Sequence, residues 1–236
     1  MDEDIARNIE QVQQRIAAAC RCVGRSPTAV TLVAVTKTVP PERIRAAWDL
    51  GIRHFGENRV QEARAKMPLL RDLPIVWHMV GHLQSNKAGQ AADLFDMIES
   101  VDSVALAERL SRRVAGQGRS LPILLEVNVG AEQSKFGFSV REGESDTFLA
   151  AVEQIVALPG LDVQGLMTVA PIVADPELVR PHFRRLRTLL QELRQRWPQR
   201  SWLHLSMGMT DDYEVALEEG ATIIRLGRAI FGPRPG

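Results

Sequence analysis

Apolar positions change their period along this chain. Ile5, Ile9, Val12 and Ile16 recur at helical spacing among charged and Gln positions, which predicts an amphipathic helix over residues 2–22. The next apolar run, Leu32-Val33-Ala34-Val35, is continuous, leads to Lys37 and is closed by Pro40-Pro41. A run of that kind is a parallel-sheet strand covered on both faces. Strand and helix signals then alternate. Strands are predicted at 54–57, 75–80, 97–101, 123–128, 163–167, 202–205 and 223–226. Helices are predicted near 42–50, 58–70, 86–94, 103–115, 144–157 and 212–218, with Gly51 and Gly220 as C-terminal caps. A further helix carries Phe183, Leu186, Leu190 and Leu193 on one side, entered through Asp175-Pro176, with Pro181 splitting off its first turn.

Eight strands in alternation with helices, without a linker or low-complexity break, predict an α/β fold. The specific expectation is a single (β/α)8 TIM barrel over residues 1–236, with an extra N-terminal helix. An open doubly wound sheet would need a Gly-rich turn after the first strand, and T-K-T-V-P-P is not one.

Composition narrows the function classes. The 236 residues are 45% apolar, enough for a substantial core, and carry a formal net charge of zero with a pI near 7.0. That balance argues against nucleic acid or an anionic membrane as partner. No run of about 18 apolar residues is present, and acidic Asp2, Glu3 and Asp4 follow Met1, so a cytoplasmic protein is expected. Cys20 and Cys22 face different directions on one predicted helix and read as reduced thiols. Scattered His residues and the absence of zinc spacing give no metal site.

Lysine usage changes the picture. Among 29 basic residues only Lys37, Lys66, Lys87 and Lys135 are lysines. Arg cannot form an imine, whereas a desolvated Lys can, so Lys37 at a strand end is a candidate Schiff-base residue rather than a solvent-reaching side chain. Barrel sites lie at the carboxyl ends of the strands, with phosphate held by the loops after strands seven and eight. Here those loops are Ser206–Asp212 and Leu226–Arg228. Ser206, Gly208 and Thr210 offer hydroxyls and close backbone approach, and Gly227 and Arg228 add N–H groups. A plain turn capped by Thr210 or Asp211 remains the alternative for the first loop. Barrel closure sets strand eight beside strand one, and thus a phosphate beside Lys37. An imine-forming lysine next to a phosphate cradle is what pyridoxal 5′-phosphate (PLP) requires. Arg225 is expected to face the interior, where a cation opposite the pyridine nitrogen would disfavour its protonation and weaken the ring as an electron sink.

Seven ordered segments, V-A-V-T-K-T, H-F-G-E-N-R-V-Q-E, G-H-L-Q-S-N-K, E-V-N-V-G-A-E-Q-S-K-F-G, G-L-M-T-V-A-P, L-S-M-G-M-T-D-D and I-R-L-G-R-A-I-F-G, resemble the YggS/PROSC family of pyridoxal phosphate homeostasis proteins over about residues 31–233. The resemblance implies a barrel similar to that of alanine racemase (PLP fold type III), with Lys37 as the Schiff-base lysine. It implies Ser206, Gly208, Thr210, Gly227 and Arg228 as the phosphate site, Arg225 at the pyridine nitrogen and Asn58 near the cofactor. It further implies a protein that buffers PLP and passes it on, without established turnover and with no catalytic residue. Thr36 and Thr210 stand where the family often has Ser, and Arg59 replaces a frequent Tyr.

The competing expectation is a PLP-dependent racemase or decarboxylase. A two-base racemase needs a second acid/base opposite the lysine. The single tyrosine, Tyr213, reads as a packing residue, and His78, His82 and His204 as hydrogen-bonded barrel residues rather than acid/base groups. Lys87 and Lys135 fall in loops on the same expected face, as hypothetical transfer residues or as phosphate or backbone contacts. Apo PLP-dependent enzymes are the expected recipients, and a monomer the expected state. An interaction module would show a broad apolar stripe, which the one-sided helices lack.

Overall fold

A computed structural model describes residues 2–130, 136–140 and 145–233. The expected barrel is present. The first strand, β1 (Thr31–Val35), follows helix α1 (Asp2–Cys22), and α2 (Pro41–Asp49), β2 (His54–Glu57), α3 (Val60–Lys66), β3 (Val76–Met79), α4 (Ala88–Leu94), β4 (Met97–Val101) and α5 (Val104–Ala115) continue the alternation. The second half comprises β5 (Leu121–Asn128), the two-residue β6 (Phe138–Ser139), α6 (Ser145–Val156), β7 (Leu161–Met167), α7 (Arg180–Arg196), β8 (His204–Ser206), α8 (Tyr213–Glu218), β9 (Ile223–Leu226) and α9 (Arg228–Phe231). Strand order β4-β3-β2-β1-β9-β8-β7-β5, with β4 also pairing β5, closes an eight-strand parallel ring among the described residues. The short β6 pairs with β5 outside that ring, and α9 likewise adds to the expected elements.

Two layers of apolar side chains hold the ring. Val33, Val80, Met97, Leu124, Met167 and Ile223 fill the barrel interior, and a larger cluster fills the space between strands and helices. Alternation along β1 explains the division: Val33 joins the interior set, while Ala34 packs outward under the helices. Gly56 on β2 faces Val33 and Val80, which leaves little room for a side chain there.

Several boundaries shift for identifiable reasons. Asn58 and Arg59 are not helical, since Arg59 is extended and α3 starts at Val60. Pro68 then interrupts that helix, and Met67–Leu70 is a 3-10 turn. Strand β8 begins at His204 rather than Trp202, although the Leu203 N–H already bonds the Gln164 carbonyl. Pro176–Val179 is a separate 3-10 turn before α7, as Pro181 implies.

Candidate functional site

Closure of the ring puts β9 against β1, with Arg225 opposite Val33 and Leu226 opposite Ala34. At the carboxyl ends of these two strands Lys37, Thr38, Gly227 and Arg228 line one cleft of about 210 Å³, with Val35 and Phe231 among its apolar walls. The chain turns sharply just past Lys37: Thr38 has φ 64°, a left-handed conformation unusual for a β-branched residue, and its N–H donates to Glu62 Oε2 at 3.2 Å.

Below that turn lies a buried ion pair absent from the sequence-level expectations. Lys66 Nζ donates to the Thr36 carbonyl at 2.7 Å and to Glu57 Oε1 at 2.8 Å, and the Thr36 hydroxyl donates to Glu57 Oε1 at 2.7 Å. Burial pushes the fully buried Glu57 carboxyl up, and the Lys66 and Thr36 hydrogen bonds hold it back only in part. Lys66 is therefore bound into the scaffold that fixes the end of β1.

The loop after β8 is shaped by Gly208. Its φ is 95°, and a Cβ there would come within 2.6 Å of Ala216 Cβ and 2.9 Å of Tyr213 Cα. Asp212 Oδ1 accepts the Met209 N–H at 2.6 Å, and burial raises the Asp212 carboxyl. Thr210 lies half-buried in this loop. Across the neighbouring strand end Arg228 pairs with Asp211 at 2.6 Å, so the two loops are tied together at the rim.

Deeper in the barrel is a continuous polar chain. Arg225 is buried; it donates to Ser206 Oγ at 2.5 Å and to the Thr168 carbonyl at 2.8 Å. Ser206 Oγ in turn donates to Glu99 Oε2 at 2.5 Å, and His78 Nδ1 lies 2.7 Å from Glu99 Oε1. Burial opposes ionisation of Glu99, but His78, Arg225 and Ser206 together hold its carboxyl below the ordinary range. His78 Nδ1–H donates to the ionised Glu99, and His78 Nε2 lies 2.9 Å from His54 Nδ1. Burial lowers the pKa of His54 and of His204, so both favour the neutral ring.

Glu126 on β5 stands apart from this chain. It is buried, and its Oε2 has no hydrogen-bond partner among the described residues. Burial, reinforced by Asp102 and opposed by Arg225, pushes its pKa up to about 7. Glu57, Glu99 and Glu126 were all missed by the motif reading. Their one signal was that each is an acid in a predicted strand, which a barrel buries only where partners or a ligand await it.

The expected residues are thus grouped unevenly. Lys37, Gly227 and Arg228 share the cleft; Gly208 and Thr210 form the adjoining loop; Ser206 and Arg225 lie in the interior chain. Asn58 sits at the end of β2, where Gly81 lets the β3 loop lie against its backbone. Lys87 is half-buried at the start of α4, and Lys135 lies outside the described residues. Tyr213 is buried, with the Arg15 guanidinium of α1 over its ring at 5.3 Å, as a packing residue would be. His82 Nδ1 is 3.1 Å from Asp102 Oδ2, and its ring stacks on Phe136.

Lys37 follows β1 in a closed parallel barrel whose loop after β8 is shaped by Gly208, and residues 3–235 match the family described as alanine racemase, N-terminal domain, which makes the chain an alanine racemase-like barrel protein. Within that class the chain belongs to the family of pyridoxal phosphate homeostasis proteins. It is 42% identical over 226 residues to the protein of that name from Aquifex aeolicus, covering 96% of each chain. It is 41% identical to the Pseudomonas aeruginosa protein of the same name, covering 98% of this chain and 96% of that one. Among solved structures, PipY of Synechococcus elongatus with PLP bound superposes with a TM-score of 0.83 at 40% identity, covering 97% of this chain and all of PipY. No helix among the described residues is long and apolar enough to cross a membrane.

Proposed function

We propose that this protein binds pyridoxal 5′-phosphate at the barrel mouth and serves vitamin B6 homeostasis. The observation that supports the reading is that Lys37 and the Gly227–Arg228 turn line one cleft, so that an amine, a glycine turn and an arginine share it. PipY, similar over its whole length, has been solved with PLP, and the curated relatives bear the homeostasis name. The residues fit the group: Lys37 supplies the amine for a Schiff base with the aldehyde, and Gly208, Thr210, Gly227 and Arg228 hold the phosphate. Ser206 joins them by exchanging its bond to Glu99 for one to the ligand. Asn58 contacts the cofactor from the β2 side.

When bound, PLP would supply an aldehyde and an electron-accepting ring. The Arg225 cation, held by Ser206 and the Thr168 carbonyl, keeps a positive charge where a ring nitrogen would otherwise be protonated. That favours holding over carbanion chemistry. In this reading the whole chain, residues 1–236, acts as one cytoplasmic, monomeric domain that retains PLP and releases it to apo-enzymes, without significant turnover. Lys87 and Lys135 are the residues to examine for transfer.

Absorption spectra of the protein and of Lys37→Ala, before and after addition of PLP and with borohydride trapping, test the site. The expected result is a visible imine band that is absent from the variant. No band at saturating PLP would refute the reading. Racemisation or decarboxylation at about 1 to 10³ per second would replace the carrier by an enzyme.

A further inference from the structure

A second cleft opens at the opposite end of the barrel, at the amino ends of β8 and β9. It measures about 240 Å³ and is lined by Arg25, Arg187 and Arg194, by Thr222, and by leucines that include Leu190 and Leu203. No carboxylate is among its described lining residues.

Two of the three guanidiniums, Arg25 and Arg194, are fixed by backbone carbonyls, and Arg187 by the Glu219 carbonyl and carboxylate. Arg25 donates to the Leu217 carbonyl at 2.7 Å and to that of Ala221 at 2.9 Å. Arg194 directs both Nε and Nη2 at the Trp202 carbonyl, at 2.9 and 2.7 Å. Arg187 reaches the Glu219 carbonyl at 3.4 Å and Glu219 Oε2 at 3.1 Å. Carbonyls immobilise a guanidinium without neutralising it. Each guanidinium has about five N–H donors, so Arg25 and Arg194 each retain about three.

Glu219, the one acid paired with this group, is shared with Arg180 at 3.2 Å and Arg184 at 3.0 Å. Glu219 is thus shared by three arginines, Arg180 being paired with Glu177 and Glu218 as well, while Arg25 and Arg194 meet carbonyls, so positive charge is left in excess at the cleft. Preorganised guanidiniums in a concave site match phosphate oxygens, and the leucine wall adds contact for an apolar substituent. Helix capping explains why Arg25 and Arg187 meet the carbonyls at the end of α8; it does not explain the concave, donor-lined space between them and Arg194.

We infer that this cleft is a second anion site, taking a small phosphorylated organic molecule between Arg25, Arg187 and Arg194, remote from the Lys37 cleft. It is independent of the proposed function at the mouth.

Calorimetric titration of the full chain with phenyl phosphate and with inorganic phosphate, in chloride buffer, tests it. Saturable binding is expected, tighter for phenyl phosphate because of the leucine wall. Binding should survive Lys37→Ala and Arg228→Gln, which alter the mouth. It should weaken about tenfold or more in Arg194→Gln and in Leu203→Asp. Leu203 is 53% exposed and anchors no carbonyl by its side chain, so its variant tests the charge of the cleft without unfastening the fold. PLP binding at the mouth should be unchanged in Leu203→Asp. No saturable binding, binding indifferent to Leu203→Asp and Arg194→Gln, or binding lost in Arg228→Gln would each overturn the proposal.

Discussion

Lys66 Nζ donates to the Thr36 carbonyl oxygen at 2.7 Å, one residue before Lys37. The end of β1 is thereby fastened to α3, and the same ammonium neutralises Glu57 at the end of β2. A lysine nine residues from a buried glutamate thus fixes the backbone that presents another lysine. The left-handed Thr38 just beyond Lys37 is a strained position that such neighbouring bonds help to hold.

Lys66→Met leaves a buried carboxylate without its cation. The expected loss is about 3 kcal/mol, at the low end for a broken buried pair because the Lys66 side chain keeps 13% exposure. Glu57→Gln combined with Lys66→Met should recover part of that loss. Urea unfolding of the two variants is the measurement; equal destabilisation would show that the pair contributes nothing beyond packing.

The interior chain from His78 through Glu99 and Ser206 to Arg225 leads to a different expectation. Arg225→Met should destabilise the protein by about 3 kcal/mol, since Glu99 loses a cation 3.9 Å away and Ser206 loses a donor. Arg225→Lys retains the charge but not the fork that reaches Ser206 and Thr168 together, and should restore only part of the stability. Should PLP bind, Arg225→Met should also move its absorption toward a protonated ring.

The barrel itself was legible because the chain alternates continuous apolar strands with one-sided helices. Lys37, Gly208 and the Gly227–Arg228 turn were legible because each ends a strand or shapes the loop after one. Glu57, Glu99 and Glu126 stood out only as acids in strands; their roles were not legible, since they depend on partners such as Lys66 of α3 and Ser206 that tertiary structure brings to them. Glu99 meets Ser206 across 107 residues of sequence, and no local pattern encodes that distance. At the start of α3 the extended Arg59 delays the helix to Val60, and Gly81 packs closely against the backbone of the preceding Asn58, a contact equally invisible in local sequence.

Glu126 gives a pH dependence with a definite sign. Its folded pKa of about 7 lies above its ordinary value of 4.5, so the folded state binds the proton more tightly than the unfolded chain. Its contribution to stability is therefore fully present below pH 4.5 and is lost as pH rises to about 7. The loss over that window is on the order of 3 kcal/mol. Glu126→Gln keeps the neutral shape and should be more stable than the parent at pH 8, with little difference at pH 4.5. Denaturant melts of the PLP-free protein at the two pH values measure this, and a parent-minus-variant difference independent of pH would contradict it.

Gly208→Ala tests the loop that separates the interior chain from the mouth. At φ 95° an alanine is strained, and its Cβ would meet Ala216 Cβ at 2.6 Å and Tyr213 Cα at 2.9 Å, both parts of α8 with little freedom to retreat. The loop must shift, carrying with it the Gly208 carbonyl that accepts the Arg225 N–H at 3.0 Å and the Asp211 that pairs with Arg228. A cost of about 1–3 kcal/mol in stability is expected from the strained backbone. PLP affinity should fall more steeply than stability, because phosphate recognition depends on loop positions and most of the core does not. Paired urea melts and PLP titrations separate the two effects: affinity retained despite lower stability would remove this loop from the phosphate site, leaving the Gly227–Arg228 turn to hold the phosphate alone.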